Sequence, residues 1–184
     1  MPSSHKPAIP SPWAEFLNEL DALLSNPVDV HCIGGFVVSL HYGLPRSTGD
    51  VDYYSVVPAH FAAGLQTLAG PDSPLGKKYK LHFQLVTVTN LPENYEDRLE
   101  EMFPGQFKKL RLFAPDPYDL ILSKIERNTA KDRDDLDYLA RTLHLDAAVL
   151  RKRYQKELRP NLPNEARHDL TLSLWIDSSF PRRR

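Results

Sequence analysis

Two carboxylates two residues apart, Asp50 and Asp52, are the residues of this sequence best suited to chemistry. In a β-strand, residues i and i+2 point to the same face, so the two carboxylates are expected to lie side by side. Neighbouring carboxylates repel each other unless a cation lies between them. A hard divalent cation such as Mg²⁺ binds carboxylate and phosphate oxygens, so the pair predicts metal-dependent chemistry on a phosphorylated substrate.

A glycine pair upstream supports this interpretation. Gly34-Gly35 follows a short strand at 28–33 and precedes an apolar segment that is expected to form a buried helix. Glycine lets the backbone approach a ligand closely, and a helix N-terminus leaves N–H groups available to phosphate oxygens. Such a turn alone is more often simple packing. The alternative for the acidic pair is a solvated strand face, but the surrounding apolar residues indicate a strand near the interior.

Two residues between the glycines and the carboxylates are candidate nucleotide contacts. Arg46 has a guanidinium fork that suits bidentate binding of phosphate, and Thr48 has a hydroxyl that can donate to it. The alternatives are a loop arginine and a threonine that caps or packs.

A second set of candidates lies in the helical C-terminal third. Lys124 falls within a mostly apolar helix, where a lysine with a buried stem and its ammonium in a cleft can pair with a triphosphate. Asp132 and Asp135 are three residues apart and therefore share one helical face. The alternatives are a solvated lysine and acidic residues that serve as helix-start charges or as a soluble face.

The elements that must position these residues follow from periodicity and from 16 prolines. Strands are expected at 28–33, 50–57, 79–88 and, as an edge strand, 108–113. Helices are expected at 13–24, 36–42, 60–68, 91–102 (after Pro92), 119–127, 132–143 and 146–158. Pro160 and Pro163 are expected to end the regular structure.

The chain thus divides into a flexible N-terminus (1–12), one domain (13–160) and a C-terminal tail (161–184). Strands and helices followed by helices alone predict an α+β fold, a mixed sheet flanked by helices with a helical C-terminal part.

Composition narrows the function classes. With 23 basic and 24 acidic residues the net charge is -1, so the overall charge predicts no attraction to nucleic acid or to an anionic membrane. Basic clusters at 151–159 and 182–184 are local candidates for RNA phosphates or simply solvated faces. No apolar run approaches the roughly 20 residues of a membrane span, and residues 1–12 show no signal peptide. A single cysteine, Cys32, fits a cytoplasmic protein.

The candidate residues also form a wider pattern. Its members are Gly34, Gly35, Tyr42, Gly43, Arg46, Thr48, Asp50 and Asp52. The pattern resembles the nucleotidyltransferase superfamily, which carries Gly-Gly or Gly-Ser after its first strand and Asp-x-Asp on the next. It is similar to the bacterial branch related to abortive-infection and toxin–antitoxin nucleotidyltransferases. Further similarity lies at 91–99 (LPENYEDRL), 116–120 (DPYDL), 123–124 (SK) and 131–136 (KDRDDL), so the resemblance covers residues 28–143.

The resemblance implies an enzyme that binds Mg²⁺ or Mn²⁺ through Asp50 and Asp52 and binds a nucleoside triphosphate such as ATP. It implies transfer of a nucleotidyl group to a hydroxyl of RNA, tRNA for example, or of protein, in a toxin with a cognate antitoxin. The resemblance also implies that Lys124 and an Asp of the KDxxD stretch (131–135) complete the pocket, with Asp132 preferred over Asp135.

The sequence departs from the family pattern at one place. A third acid is expected on a later strand, where Gln84 and His82 stand instead. This departure is the reason for a second hypothesis, a non-catalytic module of the same fold that binds nucleotide or a partner. A third hypothesis is that the chain is a purely structural or antitoxin-like partner.

Overall fold

Apolar segments in the first two thirds of the chain form one mixed sheet. The structure is a computed structural model and describes residues 9–180. Its strands are β1 (Val28–Ile33), β2 (Asp50–Val57), β3 (His82–Leu85), β4 (Glu100–Met102) and β5 (Leu110–Ala114). They lie in the order β3-β2-β1-β5-β4. The central strand β1 is antiparallel to β2 and parallel to β5, and β3 runs parallel to β2.

Eight α-helices accompany the sheet within residues 9–180. They are α1 (Trp13–Leu23), α2 (Gly34–Leu40), α3 (Ala62–Ala69), α4 (Pro74–Tyr79), α5 (Pro117–Leu122), α6 (Ala130–Thr142), α7 (Ala147–Arg153) and α8 (Glu165–Ser179). The mixed sheet, its surrounding helices and the helical C-terminal part confirm the α+β class expected from the sequence. None of these helices has both the length and the apolar character needed to cross a membrane.

The chain forms two compact units. The first contains the described residues up to His41, together with Arg46–Val86 and Glu101–Ala114. The second contains Tyr42–Pro45, Thr87–Glu100 and the described residues from Pro115 onward. The first unit therefore holds Asp50 and Asp52, and the second holds the helices α5–α8.

The first unit is built on the apolar face of α1. Phe16, Leu17 and Leu20 are fully buried, and the Phe16 ring stacks 6.0 Å from that of Phe83 on β3. Asp21 on the same helix accepts backbone N–H bonds from residues 108–110, the last two at 2.7 Å. These bonds hold the start of β5 in place, because buried backbone donors must be paired.

The helical part of the second unit begins with α5, whose start is capped. The Asp116 side chain accepts a hydrogen bond from the Tyr118 N–H, and Pro117 occupies the first helical position of α5. Further along, Trp175 of α8 is buried and donates its indole N–H to the Asn128 side chain at 3.0 Å. This bond ties the last helix to the connection between α5 and α6.

Three expected elements differ in the sheet region. The helix expected at 91–102 is wrong: a 3₁₀ turn at Tyr95–Arg98 leads into β4, whose three residues are too few to show a strand period. The strand expected at 108–113 is an inner strand, because β4 lies outside it. The strand expected at 79–88 is shortened, since Ser73 caps α4, which continues to Tyr79.

Two expected ends are also wrong, one of a helix and one of the regular structure as a whole. The helix expected to reach residue 127 stops earlier, because α5 ends at Leu122 and a turn follows. Regular structure does not end at Pro160 and Pro163. Asn164 accepts the N–H of Arg167 and starts α8, so the prolines separate two helical segments and a new cap restarts the helix. Residues 1–8 of the expected flexible N-terminus and the basic residues 182–184 lie outside the described part of the chain.

Candidate active site

Asp50 and Asp52 lie on one face of β2, as their spacing predicts. Val51 and Tyr53 between and after them are fully buried, whereas the two aspartates are half-buried. Asp52 pairs in register with Ile33, the residue directly before the Gly-Gly turn. The two carboxylates therefore lie on the more accessible face of the strand.

Gly34 contacts the Asp52 carboxylate where a side chain would otherwise be. Its φ is +73°, in the left-handed region, and a Cβ built on it would overlap Asp52 Oδ2. Gly34 is therefore required both for its backbone conformation and for the space that the carboxylate occupies. Gly34 is the first residue of α2, so the Asp52 carboxylate lies at the N-terminus of this helix, where the first-turn N–H groups have no partner within the helix.

The substitution Gly34→Ala is expected to destabilise the chain by about 1–3 kcal/mol, because alanine is strained at a positive φ. It is also expected to displace the Asp52 carboxylate and to remove metal-dependent nucleotide binding. Gly64→Ala is the matched control. Gly64 lies inside α3 and a Cβ there meets no atom within 4 Å, so this change should stabilise the chain by up to about 1 kcal/mol. Urea denaturation measures the free energy of unfolding of both variants. Equal effects of the two changes would refute the special role of Gly34.

Thr48 positions Asp50. Its hydroxyl lies 3.0 Å from Asp50 Oδ1 and 3.2 Å from the Asp50 carbonyl oxygen. Because a hydroxyl has a single proton to donate, we infer that the Thr48 hydroxyl orients the Asp50 carboxylate. Its contact with phosphate stays a prediction. Arg46 is half-buried in the loop between α2 and β2, two residues before Thr48.

The neighbouring strand holds no third acid. In the parallel pairing of β2 with β3, Asp50 lies opposite His82 and Asp52 lies opposite Gln84. The strand identified from the sequence is thus the correct neighbour, and a neutral amide stands beside Asp52. Among the described residues no group of three or more His, Cys, Asp or Glu side chains is placed to hold a metal. The donor set is two carboxylates, which fits a hard cation that takes its other ligands from phosphate and water.

Lys124, Asp132 and Asp135 form a buried cluster in the second unit. The Lys124 ammonium lies 2.9 Å from Asp135 Oδ2 and 3.5 Å from Asp132 Oδ1. The three side chains are only 4%, 0% and 1% exposed, so none of them is a solvated surface charge. The shared helical face expected for the two aspartates is confirmed, because both contact the same lysine.

Asp132 also caps α6. The Thr129 side chain accepts from the Asp132 N–H, and Asp132 Oδ2 accepts from the Thr129 N–H at 2.9 Å, which is a capping box. Burial by itself would raise the pKa of Asp132. Hydrogen bonds from Arg127 and Thr129 and the charge of Lys124 outweigh it, and they hold the pKa well below its usual range.

This lowered pKa predicts a pH dependence. A carboxylate with a lower pKa in the folded state stabilises the fold above the unfolded pKa of about 4, and this contribution fades as the pH falls below that value. The stability difference between the wild type and Asp132→Asn should therefore be largest near neutral pH and shrink between about pH 4 and pH 2. Thermal melts across this range measure it. A constant difference would mean that the Asp132 charge contributes nothing.

Sequence reasoning missed a second ion network, which includes one residue from each of two family-like stretches. Arg98 donates to Asp119 at 2.8 Å and to Glu157 at 2.7 Å, and Arg153 lies 3.0 Å from the fully buried Asp119. Arg98 belongs to LPENYEDRL and Asp119 to DPYDL, so these stretches build the second unit. Their sequence separation gave no signal of the contact.

The Tyr-Gly pair of the pattern has a structural role as well. The Tyr42 hydroxyl donates to the Pro115 carbonyl at 2.7 Å, and the Tyr138 hydroxyl donates to the Tyr42 carbonyl at 3.0 Å. Gly43 has a φ of +80° and would bring a Cβ to 3.5 Å from that tyrosine hydroxyl. These contacts fix the short segment Tyr42–Pro45 within the second unit.

The basic cluster at 151–159 is partly neutralised. Arg153 pairs with Asp116 and Asp119, and Arg159 pairs with Glu165 and Asp169. The remaining basic side chains of the cluster are exposed: Arg151, Lys152 and Lys156. This cluster therefore offers less positive charge to RNA than its sequence indicates.

A mixed sheet that carries two carboxylates beside a Gly-Gly turn is the arrangement expected of a nucleotidyltransferase. A family model described as a nucleotidyltransferase of unknown function (DUF6036) matches residues 14–178. The chain belongs to this family, and the sequence-based assignment to the nucleotidyltransferases is confirmed at this level. Nucleotidyltransferases generally use divalent metals. No curated protein and no solved structure matches the chain.

Proposed function

We propose that this protein transfers a nucleotidyl group from a nucleoside triphosphate to a hydroxyl of RNA, such as tRNA, or of protein, with Mg²⁺ or Mn²⁺. The observation that carries the proposal is the position of the Asp52 carboxylate against Gly34, with Asp50 beside it on the same strand face. A glycine turn that serves only packing does not require an acid at that position, whereas a site that binds metal and phosphate does.

In this proposal each residue of the first unit has a physical role. Asp50 and Asp52 hold the divalent cation, which when bound neutralises charge on the phosphate oxygens. The N–H groups that follow Gly34 and Gly35 face phosphate oxygens, and the Arg46 guanidinium binds a second phosphate as a fork. The acceptor hydroxyl attacks the α-phosphorus in line with the departing pyrophosphate, and Asp52 or another carboxylate takes its proton.

The pocket roles of Lys124, Asp132 and Asp135 rest on the family resemblance alone. Their mutual ion pairs already give each of them a structural role in the second unit. The nucleotide contact of Lys124 is therefore a separate prediction that needs variants in which stability and binding are measured independently.

A label-transfer assay tests the proposal. The purified chain is incubated with each of the four α-³²P-labelled nucleoside triphosphates, Mg²⁺ or Mn²⁺, and either total RNA or protein extract. Label that is removed by ribonuclease identifies an RNA acceptor, and label that is removed by protease identifies a protein acceptor. Absence of transfer from any nucleotide to either fraction would contradict the proposal.

Gln84 favours the alternative of a non-catalytic module, because it puts an amide where a metal-binding acid is expected. Calorimetry together with the label-transfer assay separates the two: a nucleotide-binding module shows nucleotide binding without transfer, and a partner-binding module shows neither. The toxin role and the cognate antitoxin rest on the resemblance. Induced expression with growth measured for the wild type and for Asp52→Asn tests them, since a toxic nucleotidyltransferase loses its effect with its carboxylate.

A further inference from the structure

The last helix, α8, exposes two leucines on one face. Leu170 and Leu174 are 62% and 59% exposed, whereas Leu172 and Trp175 on the opposite face are buried. Residues four apart lie on the same side of a helix, so the two leucines form a short apolar stripe. Ala166 and Ser178, one helical turn beyond each leucine, are exposed small residues that extend the stripe.

The charges that flank this stripe are placed against the helix dipole. Arg167 lies in the first turn of α8, near the positive end, and Asp177 lies in the last turn, near the negative end. Asp177 forms no ion pair with any residue that the structure describes, and Arg167 uses one donor on the Glu126 carbonyl at 3.2 Å. Both charges are thus unfavourably placed in an isolated helix, and neither has an ion-pair partner among residues 9–180.

The exposed face is complementary to itself when it is reversed about Leu172. Position 170 then faces 174, which joins apolar to apolar. Position 167 faces 177, which joins positive to negative, and position 166 faces 178, which joins small to small. A twofold interface requires this self-complementarity, because each residue on one copy meets its counterpart on the other. A different partner protein requires no such symmetry.

We propose that two copies of this chain associate through antiparallel α8 helices, with a twofold axis beside Leu172. Leu170 of each copy packs on Leu174 of the other, and Arg167 of each copy pairs with Asp177 of the other at both ends. Each charge then also lies near the helix end of opposite polarity in the second copy. Four half-exposed leucines bury far less than the roughly 1,600 Å² of a standard interface, so the dimer is weak and reversible. This inference is independent of the proposed function.

Sedimentation equilibrium over a concentration series tests the dimer with charge reversals. Arg167→Glu and Asp177→Arg each create two like-charge contacts per dimer, and each is expected to raise the dissociation constant by about tenfold or more. An equimolar mixture of the two variants restores opposite charges across both ends, so it should dimerise with nearly the wild-type constant. An intramolecular effect of either variant does not predict rescue on mixing.

Leu174→Gln provides a test that leaves the charges unchanged, and it should also abolish the dimer. Circular dichroism confirms that each variant is folded. A wild-type chain that stays monomeric up to about 1 mM overturns the proposal. A dimer that is insensitive to all three variants overturns it equally.

Discussion

Asp50→Asn and Asp52→Asn are each expected to reduce nucleotidyl transfer by about 10³-fold or more while leaving the fold intact. The two carboxylates are half-buried on one face of β2, and Asp52 lies against Gly34. An amide has nearly the shape of a carboxylate but lacks its charge, so it cannot compensate a divalent cation. Loss of that charge from the transition state of phosphoryl transfer is worth several kcal/mol.

The control for these variants is Asp72→Asn, the same chemical change at an exposed position of the same unit. It should leave transfer and nucleotide binding unchanged. Calorimetry with nucleotide and Mg²⁺ provides a second measurement, in which Asp50→Asn and Asp52→Asn lose metal-dependent binding. Wild-type binding and turnover in both variants would refute the assignment of the metal site.

The geometry around Asp50 and Asp52 was largely predictable because it depends on short sequence distances. The two-residue spacing of Asp50 and Asp52 fixes a common strand face, and β2 forms where alternation places it. The strand that carries Gln84 was also predictable as a neighbour. Gly34 was recognised as a turn glycine, but its contact with Asp52 was not, because that contact depends on the register of β1 with β2.

The errors arose where a few long-range contacts outweigh local pattern. The three residues of β4 carry no periodicity, and their strand conformation comes from the sheet beside them. Two prolines suggested that regular structure ends before α8, yet Asn164 caps a new 15-residue helix. The contact of Arg98 with Asp119 joins residues far apart in sequence, which composition and spacing do not report.

Lys124→Met is expected to destabilise the second unit by about 3–5 kcal/mol, because it removes the ammonium that contacts the buried carboxylates of Asp135 and Asp132. A methionine fills nearly the same volume, so the loss reports charge rather than a cavity. Lys131→Met, at an exposed position of α6, is the matched control and should have little effect. Urea denaturation measures both variants.

The double variant Lys124→Met/Asp135→Leu separates a structural role of Lys124 from a nucleotide contact. An apolar pair of similar volume in place of a buried ion pair is often neutral, so much of the lost stability should return. If Lys124 also binds the triphosphate, the stable double variant will still bind nucleotide at least about tenfold more weakly than the wild type, because a charge-assisted contact is lost. Wild-type affinity in that variant would restrict Lys124 to holding α6. Unchanged stability of Lys124→Met would instead contradict the buried ion pairs themselves.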